Sequence, residues 1–262
     1  NVKKIKMSLG GFIRRETYWV KDYLNGSPVK SHFDDINKIL NNQKYGNEKQ
    51  KHHLNNIISH ATKNSSFYMQ FKKNSLEAFP IMNKKTVREN FNKIIVDIEN
   101  IPGQKGNLYI QHTSGSTGIQ LAVPQDTRKR NRRIAELKYF GEIAGFKSHE
   151  KLVQLKAGDW WLNKKSRIQF FRENIYFVNC SQINDEMLQG LCSFINQKKI
   201  TVLYGYPNWF ELFTDFLERK SIQIKSIKIV IAISEHLPPR TRNKLKILLK
   251  ALEKPSRSDF VL

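Results

Sequence analysis

The stretch ITVLYGYPNWFELFTDFLERKSIQIKSIKIVIAI, from Ile200 to Ile233, contains the pattern that decides the fold. It begins with the apolar run ITVLY, continues with an amphipathic segment that opens at Pro207, and ends with the apolar run IKIVIAI. Proline is favoured at the first position of a helix, and short apolar runs are typical of buried strands. A helix between two such strands favours a parallel pair, because it carries the chain back along the sheet. The stretch therefore predicts a strand–helix–strand unit.

The same alternation extends toward the N-terminus. KLVQL (residues 151–155) and NIYFV (residues 174–178) are candidate strands, and Asn184 is a candidate N-cap for the helix that follows them. Continuous apolar strands between helices are covered on both faces in most proteins. The pattern thus predicts the α/β class, with a largely parallel sheet flanked by helices and with Pro239 opening the last helix.

Two more short strands are predicted around residue 115, as NLYIQ (residues 107–111) and IQLAV (residues 119–123). The long segment DTRKRNRRIAELKYFGEIAG (residues 126–145) follows as a helix, for which Asp126 is the predicted cap and Gly145 the predicted end. The residues expected to face the protein interior are Ile134, Leu137, Phe140 and Ile143.

Residues 1–100 are predicted to form a helical N-terminal region, and residues 101–262 an α/β nucleotide-binding core; both are expected to be parts of one large domain. In SHFDDINKILNN (residues 31–42), Ser31 is the expected helix cap, and Asn83 is the expected cap of a later helix. The histidines at 52, 53 and 60 have no nearby carboxylate that would complete a metal site, so no metal ligands are predicted.

The chain of 262 residues carries a formal charge of +22, with 45 basic and 23 acidic residues, which favours anionic partners. The densest basic run, RKRNRR (residues 128–133), has no interleaved aromatic residues, so a solvated helix face is favoured over a nucleic-acid footprint. No apolar run reaches the roughly 18 residues of a membrane helix, although a basic surface leaves peripheral membrane contact open. Cys180 and Cys192 are expected to be buried thiols of a reduced, cytoplasmic protein.

The segment TSGSTG, at residues 113–118, stands between the two short predicted strands. Its members are Thr113, Ser114, Gly115, Ser116, Thr117 and Gly118. Glycine lets the backbone curl so that several N–H groups point at one anion, and the hydroxyl groups add further donors. A Gly/Ser linker has the same composition, but the flanking apolar runs fasten the segment and favour a phosphate-binding loop. The segment matches neither the Walker loop nor the dinucleotide fingerprint.

TSGSTG between two strands resembles the ATP-phosphate loop of the adenylate-forming superfamily of acyl- and aryl-CoA ligases. Four further segments occur in the expected order around it and make the resemblance more specific. They are ETYWVKDYLNGSPVKSHFDDI and FPIMNKKTVRENF before the loop, and LYGYP and IAISEHLPPRTR after it. Together they resemble the phenylacetate–CoA ligase-like branch, and within it the CapK-type capsular polysaccharide biosynthesis proteins. The resemblance extends from about Arg14 to Leu249.

The resemblance implies that a carboxylate attacks the α-phosphate of ATP to give an acyl-adenylate, with Mg²⁺ as a second cofactor and coenzyme A as one candidate acceptor. It places the loop at the β- and γ-phosphates, and Ser234 and Glu235 against the adenine. The wall of the acyl or nucleotide pocket is assigned to Tyr204, Gly205, Tyr206 and Pro207. Simpler structural roles remain as alternatives. Glu235 is then an acidic residue before the N-terminus of a helix, and Tyr204 and Tyr206 pack in the core.

Two features depart from the resemblance. Many relatives carry a lysine where this chain has Ile119, and the helix with Arg128 could supply a cation instead. The final residues, EKPSRSDFVL, match none of the later motifs, so a small C-terminal catalytic domain is expected to be lacking. The 262 residues are therefore expected not to complete adenylation by themselves. The alternative functions are an inactive remnant that binds a nucleotide or a partner protein, and, last, a basic nucleic-acid-binding protein.

Overall fold

The computed structural model describes residues 7–71, 76–112, 120–158 and 167–249. The loop at residues 113–118 lies outside the described residues. The chain forms two compact units. We call Asn1–Lys21 together with Phe140–Leu262 the sheet unit, and Asp22–Tyr139 the hairpin unit.

The helices and strands alternate after residue 108 as the sequence predicts. The helices are α1 (Leu9–Leu24), α2 (Pro28–Asn41), α3 (Gln43–Asn64), α4 (Lys84–Glu89), α5 (Phe91–Ile94), α6 (Thr127–Ile143), α7 (Arg167–Glu173), α8 (Asp185–Lys198), α9 (Pro207–Arg219) and α10 (Pro239–Leu249). The strands are β1 (Tyr109–His112), β2 (Ala122–Gln125), β3 (Leu152–Lys156), β4 (Ile175–Asn179), β5 (Val202–Gly205) and β6 (Ile229–Ala232). No described helix combines the length and the apolar character that a membrane span requires.

The sheet unit is built on four parallel strands in the order β4-β3-β5-β6. Val153 of β3 lies between Tyr176 of β4 and Leu203 of β5, and Leu203 in turn pairs with Val230 of β6. The parallel sheet predicted from the strand–helix–strand pattern is therefore confirmed.

Both faces of this sheet carry helices. Successive side chains of each strand point to opposite faces, so each strand contributes to both. Val153, Leu155 and Leu203 point to one face, where they form the main core with buried residues of α8, α9 and α10. On the other face, the rings of Phe170 in α7 and Phe177 in β4 pack with centroids 4.7 Å apart. Helix α7 lies on the opposite face from α8 because the connections from β3 to β4 and from β4 to β5 cross the sheet in opposite directions. When both crossovers are right-handed, their helices lie on opposite faces.

Five predicted helix starts were correct. The side chains of Asn83 and Asn184 accept hydrogen bonds from the backbone amides of Thr86 and Met187, respectively. Asp126 Oδ1 accepts one from the amide of Lys129 at the start of α6. Pro207 and Pro239 begin α9 and α10, and Gly145 follows α6 in the left-handed conformation that favours glycine.

In the hairpin unit, β1 and β2 pair antiparallel from Tyr109↔Gln125 to His112↔Ala122. Both strands were predicted. Their last pair flanks the connection that contains the TSGSTG segment, so the segment joins the two strands of a hairpin. The domain boundary predicted near residue 100 stays a prediction.

Ser31 is not the cap of α2, and this prediction was wrong. The helix begins one turn earlier, at Pro28, and Ser31 lies inside it. The buried carboxylate of Asp22 accepts hydrogen bonds from the amides of Val29 at 3.0 Å and Lys30 at 2.9 Å. The capping atoms therefore come from the preceding helix, which a search for a local Ser cap does not detect.

The inward face predicted for α6 was also wrong in large part. Ile134, Leu137 and Ile143 are 37%, 42% and 47% exposed, whereas Ala135 and Tyr139 are buried. The buried side of this helix makes polar contacts instead. Arg132 Nη1 lies 2.6 Å from Asp35 Oδ2, and the hydroxyl of Tyr139 donates to Asn37 Oδ1. Apolar spacing does not identify a helix face that is held by an ion pair and a hydrogen bond.

Candidate functional site

The carboxyl ends of β3 and β5 meet at a topological switch point in the sheet unit. From β3 the chain leads to β4 on one side, and from β5 it leads to β6 on the other side. Ligands of open α/β sheets bind in the crevice outside the carboxyl ends of the strands at such a point. Two predicted groups lie at this edge: residues 204–207 run from the last two residues of β5 into α9, and residues 234–235 follow β6.

The LYGYP segment turns from β5 directly into α9. Tyr204 is half-buried in the strand, and Pro207 is buried at the first position of the helix. The ring of Tyr206 packs edge-on against Trp209, with centroids 4.9 Å apart, and its carbonyl accepts the amide of Trp209. Tyr206 thus has a packing partner at the start of the helix.

The packing of this turn favours glycine at position 205. A Cβ at this position would lie 3.1 Å from Leu155 Cβ and 3.2 Å from Trp209 Cε3. Both distances are shorter than ordinary van der Waals contact, and both neighbours belong to the core. The glycine of LYGYP therefore has a structural explanation that is independent of any ligand.

Ser234 and Glu235 are exposed just beyond the end of β6. The amide of Ile233 still bonds to the carbonyl of Gly205 at 3.0 Å, which ties the two strand ends together. Ser234 then takes the left-handed conformation, with φ of 66°, which costs a non-glycine residue about 1–2 kcal/mol. Glu235 precedes α10, whose first turn contains no acidic residue. The strained residue thus stands at the edge where the sequence predicts an adenine contact.

The sequence did not predict a role for the polar residues at the ends of β3 and β4 and directly after them. The amide of Gly158 donates to Asn179 Oδ1 at 3.1 Å and to Ser181 Oγ at 2.7 Å. The Ser181 hydroxyl also donates to Asn179 Oδ1 at 2.8 Å. At the end of β3, Lys156 Nζ lies 6.0 Å from the ring centroid of Phe177. The signal that could have found them is their position directly after a buried strand of a parallel sheet.

In the hairpin unit, the basic helix α6 contacts the strand that leads into the TSGSTG segment. The Arg130 guanidinium lies 4.6 Å from the ring centroid of Tyr109 in β1. Arg133 Nη1 lies 3.4 Å from Gln111 Oε1, which also accepts from Gln125 Nε2 at 2.7 Å. Of the run at residues 128–133, Arg130 and Arg133 therefore line β1, whereas Arg132 pairs with acidic side chains.

The cysteines and histidines do not form a reactive centre among the described residues. Burial raises the pKa of the Cys180 and Cys192 thiols to about 11. His52 and His60 each hydrogen-bond an asparagine one turn further along α3. Within the part of the chain that the structure describes, no group of three or more His, Cys, Asp or Glu side chains could hold a metal ion.

Comparison with known proteins agrees with this fold. No family model matches the chain. It is 23% identical over 257 residues to Protein CapK of Staphylococcus aureus, and the match covers 92% of this chain and 55% of that protein. The chain thus spans about half the length of the curated relative that it matches.

The solved structures with a similar fold include 2-hydroxyisobutyryl-CoA ligase in the postadenylation state. Its complex with R3-HIB-AMP matches with a TM-score of 0.51 and 14% identity, over 76% of this chain and 45% of the ligase chain. Its complex with 2-HIB-AMP gives the same values: a TM-score of 0.51, 14% identity, 76% and 45%. About three quarters of the chain therefore shares its fold with part of 2-hydroxyisobutyryl-CoA ligase, and the chain is similar in sequence to CapK, which confirms the resemblance indicated by the order of its motifs.

Proposed function

We propose that this chain is the nucleotide-binding part of an adenylate-forming ligase that activates a carboxylate with ATP in capsular or surface polysaccharide biosynthesis. The observation that carries the proposal is the switch point between β3 and β5: residues 204–207 form the end of β5 and the turn into α9, and residues 234–235 follow the neighbouring parallel strand β6. Ligand binding at such an edge is general for this sheet type. The name of the CapK relative and the adenylate in the matched ligase support the assignment.

The proposed roles follow from the donors that each segment offers. In the hairpin unit, the hydroxyls of Thr113, Ser114, Ser116 and Thr117, with the loop amides, would bind the β- and γ-phosphates of ATP. Each hydrogen bond to a charged group contributes about 1.5–3 kcal/mol. In the sheet unit, Ser234 and Glu235 would contact the adenine, and residues 204–207 would line the pocket wall.

In the proposed reaction a carboxylate would attack the α-phosphorus of ATP and pyrophosphate would leave; bound Mg²⁺ would supply charge neutralisation at the phosphate oxygens. The acyl-adenylate would then pass its acyl group to a nucleophile, and the name of the matched ligase makes coenzyme A one candidate. Because the chain spans 55% of its CapK relative, the activity of the whole protein belongs to the proposal.

Binding of Mg²⁺-ATP by isothermal titration calorimetry tests the loop assignment. The double variant Ser114→Ala/Ser116→Ala is expected to bind at least about tenfold more weakly, because two donors to charged phosphates are lost. The matched control, Ser31→Ala/Ser59→Ala, removes two exposed helix hydroxyls and is expected to bind like the unchanged chain. Equal affinity for all three proteins, or no ATP binding at all, would overturn the assignment.

Carboxylate-dependent ATP–pyrophosphate exchange distinguishes a ligase that forms an adenylate from a remnant that only binds a nucleotide. Exchange by the 262-residue chain would show that these residues complete adenylation. Loop-dependent ATP binding without exchange, over a panel of carboxylic acids, would favour the nucleotide-binding remnant.

A further inference from the structure

A cavity of about 510 Å³ lies at the amino ends of β5 and β6, and we call it the amino-edge cavity. The candidate nucleotide site lies at the carboxyl ends of the same strands, so the two are at opposite edges of the sheet. Three lysines and three uncharged polar residues belong to its lining: Lys199, Lys225, Lys228, Asn196, Thr201 and Gln223. No acidic residue of the described chain belongs to it.

The segment SIQIKSIKI, residues 221–229, forms one wall of the amino-edge cavity. Its isoleucines are separated by one or two polar residues, and Ile224 and Ile227 are buried in the core. The polar residues between them are therefore left to line the cavity. The amide of Lys228 donates to the carbonyl of Thr201 at 2.8 Å, which holds this wall against the start of β5.

The end of α8 forms another wall. Lys199 follows this helix in the left-handed conformation, with φ of 52°, and its amide donates to the carbonyl of Asn196 at 3.3 Å. Lys151 Nζ donates to the carbonyl of Lys198 at 2.8 Å. A helix C-terminus attracts cations and repels anions. Because these last carbonyls already have donors, their repulsion of an anion in the cavity is reduced.

The positive charge of the amino-edge cavity is only partly balanced. Within the described part of the chain, neither Lys199 nor Lys225 forms an ion pair. An acidic residue, Glu150, approaches the set, and its Oε2 accepts the hydroxyl of Thr201 at 3.3 Å. This carboxyl is buried and feels the charge of Lys228. It offsets at most one of the three lysine charges, so the cavity remains cationic.

Ser226 also lines the amino-edge cavity, and its hydroxyl is unsatisfied. The Oγ atom is buried and has no hydrogen-bond partner among the described residues. Such a group in a folded protein calls for an explanation. A change of χ1 to another staggered position would turn the hydroxyl without breaking a hydrogen bond of the described structure. The cavity therefore has a spare donor beside its lysines.

We propose that the amino-edge cavity binds the phosphate groups of a small anion, with Lys199, Lys225 and Lys228 as the cations. Lysine binds phosphate as a point charge, and the amide and hydroxyl side chains of the lining supply further donors. Ligand cavities of about 300–1,000 Å³ hold small molecules. The described lining has no aromatic residue on which a base could stack, which favours a small phosphate over single-stranded nucleic acid. The proposal does not depend on ATP binding.

Acetylation footprinting of the 262-residue chain locates the site. Each lysine is labelled with an acetyl N-hydroxysuccinimide ester, with and without inorganic pyrophosphate, and mass spectrometry measures the rates. We expect pyrophosphate to slow the labelling of Lys199 and Lys225 several-fold and to leave Lys44 and Lys51, exposed on α3, nearly unchanged. Equal protection of all four lysines would mean that the anion only screens a basic surface, and would overturn the proposal.

The source of the phosphate follows from a second ligand, glucose 1-phosphate. Protection of the same lysines at a lower concentration than pyrophosphate needs would identify a phosphorylated metabolite as the ligand class. The reverse order would identify a free phosphate anion. No protection of Lys199 and Lys225 by either compound would overturn the proposal.

Calorimetric titration with pyrophosphate tests the lysines themselves. Lys199→Gln/Lys225→Gln is expected to bind about tenfold or more weakly, because two charge-assisted contacts are lost. Lys199→Arg/Lys225→Arg retains both charges and is expected to keep most of the affinity. The matched control, Lys44→Gln/Lys51→Gln, changes the net charge equally and is expected to bind like the unchanged chain. Equal losses in the two glutamine variants would contradict the proposal.

The titrations are made in the Ser114→Ala/Ser116→Ala background, so that the TSGSTG segment contributes little to the binding of pyrophosphate. The footprint at Lys199 and Lys225 is expected to be the same in this background as in the unchanged chain. A footprint that disappears with the two serines would place the anion at the segment, and would overturn the assignment of the amino-edge cavity.

Discussion

Gly205 lies so close to the side chain of Leu155 that an added Cβ would be 3.1 Å from Leu155 Cβ, and a methyl group fits there only if a neighbouring side chain moves by a few tenths of an ångström. The two residues sit on neighbouring strands at the switch point of the sheet. Because of this close approach, the end of β5 packs tightly against β3, and α9 begins only two residues after Gly205. The segment assigned to a pocket wall is therefore also a packing element of the core.

Gly205→Ala is expected to lower the free energy of unfolding by about 1–3 kcal/mol, because the core must shift to admit the methyl group. Urea unfolding followed by circular dichroism measures the change. Gly190→Ala in α8 is the matched control, since its added Cβ would have no atom within 4 Å apart from its chain neighbours and the backbone of its own helix. It is expected to raise stability by up to about 1 kcal/mol. A loss of the same size in both variants would show that the packing explanation is wrong.

Ser234 is expected to tolerate glycine and to reject a β-branched residue. Ser234→Gly relieves the left-handed strain and should leave the free energy of unfolding within about 1 kcal/mol of the unchanged chain, whereas Ser234→Val should lower it by about 1–2 kcal/mol. Ser59→Gly, in the middle of α3, serves as the control and should cost about 0.5 kcal/mol. If Ser234→Gly costs more than Ser234→Val, the positive φ is not the source of the effect.

Asp22 is expected to be a major stabilising cap of α2. Asp22→Ala removes two hydrogen bonds between a buried carboxylate and backbone amides, and should cost about 2 kcal/mol in thermal or chemical unfolding. Asp34→Ala removes an exposed carboxylate that pairs with Lys30 on the same helix, and should change stability by less than about 0.5 kcal/mol. Similar costs for the two variants would contradict the capping role.

Glu150 is expected to make stability fall as pH rises. Burial raises the pKa of this carboxyl above its ordinary 4.5, although the Thr201 hydroxyl and the charges of Lys228 and Lys147 oppose the shift. The folded chain then holds the proton more tightly than the unfolded chain, so folding loses free energy as pH rises from the ordinary pKa through the folded one. Glu150→Gln should therefore be more stable than the unchanged chain at neutral pH.

The advantage of Glu150→Gln should shrink as pH falls below 4.5, where the carboxyl is protonated in both states. Denaturant unfolding over a series of pH values measures it. The exposed Glu48→Gln controls for the loss of a carboxylate in solvent. An advantage that is constant with pH, or that grows in acid, would rule out the titration of Glu150 as its cause.

Cys180 and Cys192 are expected to react slowly with iodoacetamide at neutral pH. Their pKa values of about 11 leave little thiolate, and both side chains are buried. Mass spectrometry should detect two alkyl groups only after denaturant is added. Ser59→Cys, on an exposed helix surface, should be labelled at once in the native state. Fast native labelling of Cys180 or Cys192 would show that the core opens around them.

Local signals in the sequence predicted several helix starts in both units. The caps at Asn83 and Asn184 and the starts at Pro207 and Pro239 depend on atoms within three residues of the helix, so their chemistry is visible in a short window. Ser31 failed because the capping carboxylate comes from Asp22, on the preceding helix. For the candidate site, the sequence predicted which segments follow the strands, but not the network of Asn179 and Ser181, which needs two strand ends side by side.

The sequence by itself determined the α/β class and the parallel direction of the strands, because apolar runs that alternate with amphipathic helices have few other ways to bury their surface. Only the tertiary structure decided the strand order β4-β3-β5-β6, the tight contact of Gly205 with Leu155 and the outward rotation of α1. The periodicity of α1 shows that the helix has an apolar side, but not where that side points. Its direction follows from the contacts that Gly11 and Tyr18 make with His149, more than a hundred residues away.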